Sequence, residues 1–155
     1  MINFYEIGQV EKLAIGDGTI KAAKGGTKNC FLGSITNGVV DKAKTNSPLK
    51  LFANYGSGDD MYTEFVVSEG GLMTSWDISA QEGKCLQVSP ESITYATGKT
   101  YADVSVGSTL GAGDDGNLAV TGTDATGICF EVVKKINFGG NGLLVKIVNK
   151  EAVSG

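Results

Sequence analysis

The side chains that could do chemistry are carboxylates, lysines and three thiols, because the 155 residues include neither His nor Arg. Without His there is no imidazole zinc ligand, no Ser-His-Asp or Cys-His machinery, and no histidine general base near neutral pH. Two acidic pairs, Asp59-Asp60 and Asp114-Asp115, sit beside glycines. Calcium takes oxygens from several positions of such loops, although neither stretch has the spacing of an EF-hand. Asp and Asn also favour turns simply because they satisfy local backbone donors. A plain turn and a calcium site therefore both stand for Asp59, Asp60, Asp114 and Asp115. Paired carboxylates for glycoside chemistry could come from Glu64, Glu69, Asp77, Glu82 and Glu131. Several fall on the solvent-facing parity of strands, and none is singled out as a raised-pKa acid facing a nucleophile.

Cys30, Cys85 and Cys129 are far apart and form no CxxC, so neither a redox pair nor a zinc knuckle is signalled. Their neighbours Phe31, Leu86, Ile128 and Phe130 mark them as small strand residues and inert thiols. The glycine pairs 25–26, 70–71 and 139–140 lack the flanking residues of a phosphate loop and read as hairpin turns. The expectation is a protein that is not an enzyme and has no cofactor. Binding classes narrow too. The net charge is −4. The early lysines (12, 21, 24, 28, 42, 44 and 50) share their stretch with acidic residues. A phosphate-tracking groove needs denser charge and favours Arg, so no nucleic acid is expected. No apolar run approaches the roughly 18 residues of a membrane span, and no basic-then-apolar leader opens the chain. Synthesis in the cytoplasm without membrane insertion is the expectation. Tyr5, Tyr55, Tyr62, Tyr95, Tyr101 and Trp76 could build a sugar-binding face, but their spacing sets no regular platform.

The elements that must position these groups are strands. Gly supplies 23 residues and Pro only 2, a balance that fits short strands and tight turns rather than a helix bundle. Thr63, Phe65 and Val67 share a parity, as do Leu72, Thr74, Trp76 and Ile78, then Leu86 and Val88, then Ile128, Phe130 and Val132. Period two over such stretches predicts strands. The segment 111–117, with Asp114-Asp115-Gly116-Asn117, is a hairpin signal, and residues 101–108 alternate as a strand would. Helix is limited to single turns at 90–93 and 37–44. The predicted fold is all-β: a small barrel, or a β-tulip-like or sandwich form, with short glycine-rich hairpins. Residues 1–155 read as a single domain, and residues 1–47 as an arm or small lobe of it. Trp76, Phe65, Phe130, Val132, Val145 and Ile147 are predicted to share one core. In the final strand Leu144 and Val148 oppose Leu143, Val145 and Ile147, so one apolar row calls for cover, from the same chain or from a partner. Ile2, Phe4 and Tyr5 offer a second surface. These five residues (Ile2, Phe4, Tyr5, Leu144 and Val148) are the candidate interface.

From residue 99 to residue 150 the chain reads Lys-Thr-Tyr-Ala-Asp-Val-Ser-Val-Gly-Ser, a glycine-acid hairpin, Leu118-Ala119-Val120, Gly127-Ile128-Cys129-Phe130-Glu131-Val132-Val133 and Gly142-Leu143-Leu144-Val145-Lys146-Ile147. This order of turns and strands resembles the capsid decoration, or head cement, proteins of tailed bacteriophages. The stretch from Tyr62 to Ile78 is similar to what precedes that cadence in some of them, and residues 1–47 carry no part of it. The resemblance implies a virion structural protein on the capsid surface, made in the host cytoplasm. Its partner would be the major capsid protein lattice, and alone it would be a monomer or a homotrimer. Two other classes stand beside it: a carbohydrate- or cell-surface-binding β module, and a tail or tube structural subunit.

Overall fold

A computed structural model describes residues 1–4, 19–54 and 65–151. The chain is predominantly β, and among the described residues there is no α-helix. The described residues form these strands in order: β1 (Ile2–Phe4), β2 (Thr27–Lys28), β3 (Phe31–Thr36), β4 (Val39–Lys42), β5 (Lys50–Phe52), β6 (Val66–Val67), β7 (Ser75–Asp77), β8 (Cys85–Val88), β9 (Ile93–Tyr95), β10 (Thr109–Ala112), β11 (Leu118–Val120), β12 (Gly127–Asn137) and β13 (Asn141–Lys150). They form a seven-stranded sheet in the order β1-β8-β13-β12-β10-β11-β9, a four-stranded sheet β4-β3-β5-β7, and the pair β2-β6. Among the described residues no sheet closes into a barrel, which corrects the barrel expectation.

The larger sheet is built around the β12–β13 hairpin, whose register sets Phe130 beside Ile147 and Val132 beside Val145. β8 continues the same face with Leu86 opposite Val145 and Val88 opposite Leu143. β1 extends it again, with Ile2 opposite Val88 and Phe4 opposite Leu86. Side chains of a strand alternate between faces, so these pairs form one continuous apolar surface. It meets Leu32, Leu51, Trp76 and Ile78 from the four-stranded sheet side in a single core. The opposite face of the four-stranded sheet is also covered: Val40, Phe52, Ile20, Ala22 and Met73 make a second, smaller core. β5 serves both, with Leu51 on one side and Phe52 on the other.

Five of the six predicted core residues lie in the main core. Phe65 does not: it is half-buried just ahead of the two-residue β6. The parity drawn through residues 72–78 also fails at its start. The strand begins only at Ser75; ahead of it Met73 enters the second core and Leu72 is 54% exposed. The helical turn expected at 37–44 is instead the β3–β4 hairpin, where Thr36 pairs with Val39. Asn37 and Gly38 have φ of 51° and 75°, the two positive angles that a type I′ turn requires. Residues 101–103 form a 3-10 turn rather than strand, because Thr100 and Asp103 close a capping box over it. The turn expected at Pro90 is present as a 3-10 turn, Pro90–Ser92.

Candidate functional site

Two places gather the residues singled out by the sequence: the outer face of β13 and the acidic turn between β10 and β11. On β13, Leu144 lies between Gln87 of β8 and Lys134 of β12, Lys146 between Cys85 and Glu131, and Val148 beside Cys129. Leu144 and Val148 are half-buried. Lys146 and Lys150 reach Glu131 at 3.7 and 3.6 Å, so the row alternates apolar and charged groups. Cys129 is fully buried and burial pushes its thiol up. Beside it, loop 124–125 is tied to β10: Thr109 N–H donates to Asp124 Oδ1 at 2.8 Å and the Thr109 hydroxyl to the Ala125 carbonyl at 2.8 Å.

The other half of the candidate interface is placed differently. Ile2 and Phe4 are 1% and 3% exposed, and the Phe4 ring centroid is 5.4 Å from that of Trp76. Pairing with β8 draws them into the chain's own core, so they present no free surface; Tyr5 lies outside the described residues. Sequence reasoning missed Val106 and Val133, which are 65% and 39% exposed. A bulge between Val132 and Lys134 turns Val133 outward, and Gly107 N–H bonds the Val132 carbonyl at 2.8 Å, bringing the Val106 segment alongside. The Val132-Val133 doublet was the available signal, since alternation cannot bury both. Trp76 is buried. Tyr101 donates its hydroxyl to the Gly142 carbonyl at 3.0 Å beneath Lys135, whose Nζ stands 4.7 Å from the ring centroid.

At the acidic turn the carboxylates face partners from elsewhere in the chain. Asp114 pairs with Lys42 at 3.0 Å. Asp115 accepts the Thr94 hydroxyl, the Asn117 N–H at 3.1 Å and Asn117 Nδ2 at 3.1 Å. Burial pushes the Asp115 carboxyl up, but the Thr94 and Asn117 hydrogen bonds and the nearby Lys28 charge outweigh it, leaving it below the usual range. Asn117, only 9% exposed, also bonds Thr94 Oγ1 at 2.9 Å and accepts from Lys28 Nζ. Gly116, at φ 77°, lies against the Phe31 ring, and its carbonyl accepts Leu32 N–H at 2.8 Å. The turn thus ties β2, β3 and β9 together. Among the described residues no group of three or more His, Cys, Asp or Glu side chains is placed to hold a metal ion. Asp59 and Asp60 lie outside them, as does Glu64.

Beside this turn is a cleft of about 340 Å³ lined by Lys28, Phe31, Val40, Asp41, Lys42 and Asp114 among others. Asp41 is the most perturbed acid on its rim. A hydrogen bond from Lys44, 2.6 Å away, and the Lys42 N–H hold its pKa at about 2 instead of the usual 3.8. A carboxyl depressed on folding stabilises the fold above its unfolded pKa, and that contribution is lost as pH falls through the folded one. Asp41→Asn is therefore expected to flatten the acid-unfolding profile between pH 3.8 and about 2, followed by circular dichroism; an unchanged profile would show that the pair contributes nothing. Compared with known proteins, the chain matches no family model, no curated protein and no solved structure significantly.

Proposed function

We propose that the chain is a non-enzymatic structural protein of a virion that binds and stabilises an assembled capsid lattice, with the major capsid protein as its partner. The finer fold in this reading is a sandwich-like packing of the two sheets. The observation that carries it is the outer face of the β12–β13 hairpin, where half-buried Leu144 and Val148 alternate with Lys146 and Glu131. A stiff surface of this mixed character suits docking by complementarity, since protein interfaces of the non-obligate kind are no more apolar than ordinary surface. A lattice repeats such a site, and contact with two or three subunits at once gains avidity from effective concentration. The order of turns from residue 99 to residue 150 supports the same reading through its resemblance to decoration proteins.

The test is to mix the purified chain with undecorated capsids and image the particles. Density at fixed lattice positions is expected, with far weaker binding to free capsid protein. Leu144→Ser, half-buried and outside the main core, should fold normally and lose occupancy. Bare particles with the wild-type chain would overturn the proposal; full occupancy with Leu144→Ser would move the interface off this face.

A further inference from the structure

We propose that Lys28 and Asn117 become joined by an intramolecular isopeptide bond, with Asp115 moving the proton that the reaction requires. This inference does not rest on the capsid reading. Lys28 ends β2 and Asn117 leads into β11, yet the Lys28 Nζ donates directly to Asn117 Oδ1 across a separation of 89 residues. The same carboxamide points its Nδ2 at Asp115 Oδ2, 3.1 Å away, and at Thr94 Oγ1, 2.9 Å away. An amine, a carboxamide and a carboxylate are therefore held together at a buried asparagine, and Lys28 stands among Ala23, Phe31 and Val40 on the cleft wall. A turn asks of Asn and Asp only that they bond neighbouring backbone. Gripping a distant lysine amine and a carboxylate on the same amide goes well beyond that need.

The reaction is redox-neutral and takes no co-reactant. Asp115, the carboxylate whose charge faces Lys28, accepts a proton from the Lys28 ammonium. The neutral Nζ attacks Asn117 Cγ, forming the Nζ–Cγ bond. Asp115 then gives its proton to Nδ2, the Cγ–Nδ2 bond breaks, and ammonia leaves. Nζ loses a second proton as the amide forms, and the ammonia takes it away as ammonium. Holding the three groups in contact is what makes such a step fast, as for any well-oriented intramolecular reaction. Asp114 takes no part, being paired with Lys42.

Intact-mass spectrometry of the purified full chain tests this. The wild type is expected to be lighter than its sequence by one ammonia molecule, and proteolysis should release one branched peptide linking Lys28 to Asn117. Lys28→Arg and Asn117→Ala should each restore the full mass. Asp115→Asn, which keeps the side-chain shape, should restore it too while circular dichroism stays β-rich. A wild-type mass equal to the sequence overturns the bond. Ammonia loss without a branched peptide, as from a succinimide at Asn37, overturns it equally. Ammonia loss that persists in Asp115→Asn overturns the role given to Asp115.

Discussion

Phe130→Ala is expected to lose about 3–5 kcal/mol of stability, the usual cost of truncating a buried aromatic. Phe130 is fully buried in β12, opposite Ile147 on one side and Leu110 of β10 on the other. It lies on the central strands of the larger sheet, facing the residues of the smaller one, so its removal leaves a void that no loop can close. A domain of ordinary stability has only about 5–15 kcal/mol in total, so the variant should sit near the edge of folding. Urea unfolding at equilibrium measures it. A loss below about 1 kcal/mol, the cost of a surface change, would mean that the face of β12 is wrongly assigned.

Gly116→Ala should have an effect of similar size by another route. At φ 77° any L side chain is in the left-handed region, which costs roughly 1–2 kcal/mol. An added Cβ would also overlap the Phe31 ring, and overpacking of that kind typically costs about 1–3 kcal/mol more. The ring cannot move freely, since Phe31 opens β3 opposite Phe52 of β5. The turn would have to lift instead, breaking the Leu32–Gly116 bond and drawing Asn117 away from Lys28 and Thr94. Thermal unfolding should show a fall of many degrees, and the mass of the variant should return to that of its sequence. Gly70→Ala is the control for backbone strain alone, because Gly70 also has positive φ, 76°, with nothing near its Cβ position.

What could be read from the sequence was local. The inward sets Leu86/Val88, Phe130/Val132 and Leu143/Val145/Ile147 were legible because alternation ran uninterrupted between glycine turns, and the hairpins at 111–117 and 139–142 because their turn residues stand in the chain order. Partnerships between distant strands left no such trace. Nothing near Ile2 or Phe4 announces β8 as their neighbour, and β9 pairs with β11 in parallel across the intervening 3-10 turn and β10. Where segments were short, alternation misled: three residues of β7 cannot fix the parity of Leu72. The acidic turn was visible as a turn, and its carboxylates as ligand candidates, but Asn117 resembles any other turn asparagine until Lys28 is brought to it. Asn37-Gly38, the turn of the β3–β4 hairpin, is a signal of the same local kind.

The placing of β1 has a mechanical consequence. It is hydrogen-bonded to β8, which on its other side is hydrogen-bonded to β13, and both pairings are antiparallel. β1 and β13 consequently run in the same direction, with β8 as the shared spine. Tension drawing residue 1 and residue 150 apart pulls these strands along their length, one backwards and one forwards. The rungs on the two sides of β8 are then loaded in shear and must fail together, whereas strands pulled from one end unzip a rung at a time. Along that line the protein should resist stretching far more than the marginal equilibrium stability of an ordinary domain suggests.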